Sequence, residues 1–183
     1  MTRSGRTEAP RAGLHEHLDG RAVVVGRFAV QLAAKAGAYV IAAVGSRTRG
    51  EGLAALGAAE IVTSLENVEP VFGVLDNVGG PLLAAAFGLV VSGGSARSIG
   101  QASGQPTTIA FEAERLRGRD RRIQPFVIQT PLGEDLQDLV ALLARKELDP
   151  QVGWRAPWTR AADAVEALLG RQVHGKVVLD ITA

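Results

Sequence analysis

The sequence predicts an α/β protein built on one doubly wound parallel sheet with helices on both faces. Three observations carry that expectation. Short, nearly continuous apolar runs recur along the chain: Arg21–Val25 ("RAVVV"), Tyr39–Val44 ("YVIAAV") and the "VFGVLD" run from Val71. Stretches of helical composition separate them, such as "GRFAVQLAAKA" and "PLLAAAFGL". A strand covered on both faces needs no polar alternation, and parallel neighbours require a crossover, usually helical. At 183 residues, 46% apolar and 21% charged, the chain is long enough for one domain with a sizeable core.

Residues 1–20, "MTRSGRTEAPRAGLHEHLDG", are polar and contain glycine and proline, so they read as an N-terminal tail; the domain spans residues 21–183. Its first strand is Arg21–Val25. A helix follows from Gly26 to Ala36, ended by Gly37, a residue suited to a left-handed C-terminal cap. Tyr39–Val44 is the second strand, followed by a polar loop, a short helix ending near Gly57 and a third strand, Ala58–Thr63. The run from Val71 stops at Asp76, Asn77 and a glycine pair, and Pro81 suits the first turn of the next helix. A fifth strand, Ser95–Ile99, ends at Gly100. Ile123–Thr130 is a further strand, whose Pro125 points to an edge or a bulge. Glu134 and Asp135 open a helix that closes near Arg145 and Lys146, charges that match its dipole. A strand at Val152–Trp154, a helix from Arg160 to Leu169 and a last strand, Lys176–Ile181, complete the order. No internal repeat or second domain is visible.

Composition excludes several function classes. A net charge of +1 argues against nucleic acid as a partner, and in "ERLRGRDRR" (Glu114–Arg122) acids interrupt the arginines, as on a solvated surface. Cysteine is absent, which removes disulfides, thiolate nucleophiles and cysteine-ligated zinc. No apolar run approaches the roughly 20 residues of a membrane span, and no signal-peptide core opens the chain. The expectation is a cytoplasmic protein with no membrane partner. His15 and His17 fall in the tail and His174 is solitary, so no metal site is expected. Tyr39 begins a buried strand and is not expected to donate a proton. Trp154 and Trp158 are expected to pack on the core. No G-x-S-x-G elbow presents a serine, and no catalytic residue is assigned.

The stretches "GRFAVQLAAKAGAYVIAAVGS", "LAALGAAEIV", "GVLDNVGGPLL", "GGSARSIG" and "GRQVHGKVVLDI" occur in an order that resembles the cofactor domain of medium-chain dehydrogenase/reductases. Zinc-independent quinone oxidoreductases and enoyl reductase domains are the branch most similar to it. The resemblance runs from Gly20 to Ile181. It implies a Rossmann-like fold that binds NADPH, a nicotinamide that transfers hydride while the protein positions and orients, and a homodimer paired through the sheet edge near Ile123–Ile128.

The resemblance also implies site residues. Gly26 matches the last glycine of the phosphate-binding turn. Ser46 and Arg49 match contacts to the adenosine phosphate; the loop Gly45–Arg49 carries no acid for a ribose 2′-hydroxyl, and a hydroxyl beside guanidinium groups suits a 2′-phosphate. The bare residues fit a solvated loop as well. Asn77, Val78 and Gly79 match the turn beside the cofactor ribose and nicotinamide, where glycine admits close approach. Ile99 and Gly100 match the stretch bordering the nicotinamide carboxamide. Lys176 matches a lysine near the cofactor.

The chain departs from the family twice. Residues 1–20 are no counterpart of the GroES-like β domain that precedes the cofactor domain in relatives. The glycine-rich turn, usually of the form T/H-G-A-x-G-G-V-G, is reduced to Gly26. Weak cofactor binding and impaired activity are the expectation. Two other readings stand beside it: a non-catalytic Rossmann module that binds protein, and a truncated fragment of a larger oxidoreductase.

Overall fold

The computed structural model describes residues 16–19, 24–118, 120–170 and 172–181. Strands β1 (Glu16–Asp19), β2 (Val40–Ala43), β3 (Glu60–Val62), β4 (Val71–Asp76), β5 (Val90–Ser98) and β6 (Arg122–Pro125) form one six-stranded sheet in the order β3-β2-β1-β4-β5-β6. Every neighbouring pair in it is parallel. Helices α1 (Val24–Lys35) and α2 (Gly80–Leu89) cover opposite faces. The residues of β2 show why. Val40, Ala42 and Val44 pack with Val30 and Ala33 of α1, whereas Ile41 packs with Leu83, Ala86 and Phe87 of α2. Alternate side chains of a strand point to opposite faces, so a strand apolar at every position builds two cores. Each fully buried Val or Leu contributes about 1.5–3 kcal/mol.

The first strand lies elsewhere than expected. It is Glu16–Asp19, within the segment read as a tail, and it takes the centre of the sheet between β2 and β4. His17 therefore sits on a central strand; His15 lies outside the described residues. Val24 and Val25, expected to close that strand, open α1 instead. A short apolar run is equally compatible with strand and helix. Residues 47–50 form a 3-10 turn, and turns rather than a helix lead on to Gly57. The sixth strand stops at Pro125, short of Thr130. Tyr39 precedes β2, is half-exposed and donates a hydrogen bond to Glu60 (2.7 Å).

Arg121 corrects the expectation of a solvated segment at Glu114–Arg122. Its side chain is buried and Nη1 donates to the carbonyls of Phe87, Gly88 and Val90 at 2.9–3.1 Å. Its Nη2 pairs with the Glu114 carboxylate. The guanidinium thus closes the C-terminus of α2, where unpaired carbonyls and the helix dipole favour a cation.

The remaining strands do not join the main sheet. β7 (Val152–Pro157) and β8 (Lys176–Asp180) pair with each other in a separate two-stranded parallel sheet. Helices α3 (Phe111–Leu116), α4 (Gly133–Ala144) and α5 (Ala161–Leu169) complete the described elements. A polar seam joins this part to α1. Arg27, Gln31 and Lys35, spaced four apart on one helix face, bond to Gln151, Asp149 and Glu147 in turn. Trp158 is 59% exposed and does not pack on the core.

Candidate functional site

The register aligns the strand ends. Asp19 pairs with Ala43 on one side and with Asp76 on the other; Ala43 pairs with Val62, Asp76 with Ser98, and Ser98 with Pro125. All six strands therefore end in one row, and the loops that follow β2, β4 and β5 leave from the same edge of the sheet. The strand order reverses between β1 and β4, which makes this edge the crevice where doubly wound sheets take ligands.

After β4 the chain turns tightly. Asp76 is fully buried, and its carboxylate accepts hydrogen bonds from the N–H of Gly79 (2.7 Å) and of Val78 (3.2 Å). Gly79 and Gly80 both have positive φ, +70° and +65°, which favours glycine at each. Burial raises the Asp76 carboxyl pKa; the N–H groups of Gly79 and Val78 work against that shift. The Gly80 N–H, at the start of α2, donates to Thr107 Oγ1 at 2.9 Å.

The loop after β5 is laced to this turn through backbone bonds. The N–H groups of Ile99 and Gly100 donate to the Asp76 carbonyl (2.7 and 3.2 Å), Ala102 to Asn77 (3.1 Å) and Ser103 to Val78 (2.9 Å). Gly100 is required by proximity: a Cβ there would stand 2.8 Å from the Asn77 carbonyl oxygen. The structure thus brings together Asn77, Val78, Gly79, Ile99 and Gly100. Between the two segments lies a hollow of about 330 Å³ lined by Gly79, Ser98, Ile99, Gly100, Gln101 and Thr107. A second hollow, about 460 Å³, shares Gly79 and is walled on the α2 side by Pro81, Leu82 and Ala85.

Ser46 and Arg49 follow β2 at the same edge. Ser46 is extended (φ −163°, ψ 157°), and its carbonyl accepts the Arg49 N–H at 3.1 Å while its hydroxyl makes no capping bond. No ion pair among the described residues engages Arg47 or Arg49. Gly26 is the third residue of α1, and among the described residues nothing lies within 4 Å of a Cβ built on it. Lys176 lines neither hollow; its Nζ stands 4.0 Å from the ring centroid of Phe28 on α1.

Sequence reasoning passed over three residues. Asp76 was visible only as the polar stop of an apolar strand, although an Asp two and three residues before backbone donors is the pattern of an Asx turn. Thr107 carries no local signal. Arg27 is 6% exposed and holds the Glu51 carbonyl and Gln151 Oε1, both at 2.9 Å; a lone Arg inside an apolar helix hints at such a buried anchor. Among the described residues no group of three or more His, Cys, Asp or Glu could hold a metal ion. No helix among them is long and apolar enough to cross a membrane.

The sheet order, the flanking helices and the aligned strand ends define a Rossmann-like α/β domain. The profile of the zinc-binding dehydrogenase family matches residues 56–179, more than half of the chain, and the chain belongs to that family, within the medium-chain dehydrogenase/reductases. Solved structures agree. The quinone oxidoreductase from Coxiella burnetii is 26% identical with a TM-score of 0.72, and the match covers 93% of this chain and 53% of that one. An NAD-dependent alcohol dehydrogenase is 27% identical with a TM-score of 0.77, covering 93% and 52%. The yhdH oxidoreductase from Salmonella enterica, solved in complex with NADP, is 25% identical with a TM-score of 0.73, covering 92% and 55%. The chain thus spans about half the length of these structures and corresponds to a partial cofactor domain. No curated protein sequence matches it significantly.

Proposed function

We propose that this chain is the NADPH-binding part of a quinone oxidoreductase-like reductase, with hydride transfer impaired. One observation carries the proposal: the loops holding Ser46 and Arg49, Asn77 to Gly79, and Ile99 and Gly100 all leave one row of strand ends at the switch point. Bound there, the nicotinamide would supply the hydride. The protein's own part is to hold and orient. The uncommitted Ser46 hydroxyl and the Arg47 and Arg49 guanidinium groups suit a phosphate monoester, for which Arg offers forked, permanently charged donors. The segments at 77–79 and 99–100 frame a hollow in which a flat ring would be fixed by backbone rather than by long side chains.

Impairment follows from the link between β1 and α1. With the strand ending at Asp19 and the helix starting at Val24, the link is Gly20-Arg21-Ala22-Val23. Of these four residues one is glycine. In an intact turn, glycines let backbone N–H groups and the helix dipole meet the pyrophosphate directly. Residues 21–23 are Arg, Ala and Val, so the sequence supplies no glycine there for that approach. The same feature supports the second reading, a non-catalytic module. An exposed β6 edge followed by exposed Phe126, Val127 and Ile128 supports a homodimer paired at that edge, and the absence of cysteine is compatible with a cytoplasmic setting.

Calorimetric titration tests the proposal. NADPH should bind with a dissociation constant of about 0.1 mM or weaker, and about tenfold better than NADH, with Arg49→Ala removing that preference. Micromolar NADPH binding would contradict the impaired turn, and no binding of either nucleotide would contradict the cofactor role.

A further inference from the structure

We infer that Asp76 is the positioning residue of the candidate cofactor hollow, holding one wall with its side chain and the other with its main chain. This rests on the proposed function for the ligand, while the geometry stands without it. The carboxylate takes the N–H groups of Val78 and Gly79, which fixes the turn after β4. The carbonyl of the same residue takes the N–H groups of Ile99 and Gly100, which fixes the loop after β5. Both walls of the 330 Å³ hollow, with Gly79 on one side and Ile99 and Gly100 on the other, are thereby referred to one fully buried residue on the row of strand ends.

The arrangement is self-contained. The first N–H of α2 is taken by Thr107, and the next two donors along the turn, at 78 and 79, by Asp76. The N–H groups of Val78, Gly79 and Gly80 are therefore committed within the protein rather than offered to a ligand's charge. Asp76 shapes the site without touching what enters it. A carboxylate suits this better than an amide because it accepts at both oxygens, whereas Asn presents a donor to one of the two N–H groups.

Residue-resolved amide exchange on the full chain tests the inference, using Asp76→Asn, Asp76→Ala and a control, Val74→Ala, at an equally buried neighbour on β4. In Asp76→Ala, protection at Val78, Gly79, Ile99 and Gly100 should fall together by about tenfold or more, with Asp76→Asn intermediate. Val74→Ala should lower protection across the sheet without singling out those four amides. If 78 and 79 open while 99 and 100 stay protected, or if the control gives the same pattern, Asp76 does not couple the walls. A parallel titration compares NADPH with 2′,5′-ADP, which lacks the nicotinamide half. Asp76→Asn should bring the two affinities together while leaving 2′,5′-ADP binding unchanged; an unaltered ratio in a folded variant would overturn the positioning role. Should the unsubstituted chain bind neither nucleotide, the cofactor proposal fails, and the exchange pattern still decides the coupling.

Discussion

The six-stranded sheet region and the C-terminal part of the chain are about equally rich in apolar residues and use them differently. In the sheet, β2 buries all four of its residues, and α2 buries Leu83, Ala86 and Phe87. Beyond β6, α4 buries none, α5 buries only Ala164 and β7 only Ala156. Leu136, Val140, Trp158, Val165, Leu168 and Leu169 are instead between 48% and 79% exposed. Apolar composition makes a core only where two layers close on it. The first region has helices on both faces of a wide sheet; the second has a sheet of two strands, too narrow to stand alone, tied to α1 by a polar seam.

The contrast can be broken by truncating one leucine from each region. Leu83→Ala, at 2% exposure in the α2 core, should cost about 3 kcal/mol in denaturant unfolding, while Leu169→Ala, at 79%, should stay within about 0.5 kcal/mol. Comparable losses would mean that the C-terminal helices are held as firmly as the sheet. Arg121→Ala should cost about 2 kcal/mol by the same measure, because the carbonyls of Phe87, Gly88 and Val90 and the Glu114 carboxylate lose their partner together. A change below about 0.5 kcal/mol would place that guanidinium in solvent, as a surface segment would have it.

The smallest effect concerns pH. Burial raises the folded-state pKa of Asp76, so the folded protein keeps this proton at pH values where the unfolded chain has lost it. That group alone makes stability fall as pH rises from the ordinary carboxyl range through its raised folded value. Asp180, held low mainly by its bonds to Arg155, and Glu147, held low mainly by Lys35, act in the opposite sense: their contribution is lost as pH falls. Asp76→Asn removes the opposing group. The rise of Tm between about pH 4 and pH 7 should therefore be steeper in the variant; a flatter rise would give Asp76 the ordinary behaviour of an ion-paired carboxylate.

Much of the sheet was legible because its strands announce themselves. "VIAA" has no polar position and "VFGVLD" has one only at its last residue, and Pro81 and Gly37 mark the helix boundaries. β1 was not legible. Glu16-His17-Leu18-Asp19 has neither β-branched residues nor an apolar run, and its place is set by backbone pairing to β2 and β4 on both sides. Losing β1 displaced everything near it: the valines of α1 took its role, and the β1–α1 link read as a missing turn rather than a glycine-poor one. The separation of β7 and β8 was equally hidden, since strand patterning does not say which strand a strand will join. At the site, the segments 77–79 and 99–100 followed from motif order, but their mutual contact runs through Asp76 and Thr107, whose roles depend on distances of 3 and 27 residues along the chain.

The central claim is that one edge of the sheet carries a nucleotide site while the C-terminal strands do not. Backbone amide shifts followed by NMR during an NADPH titration test it most directly. The account predicts shifts at Ser46, Arg49, Asn77 to Gly79, Ile99 and Gly100, with the amides of β7 and β8 unmoved. Shifts concentrated on β7 and β8, or none at millimolar NADPH, would contradict it.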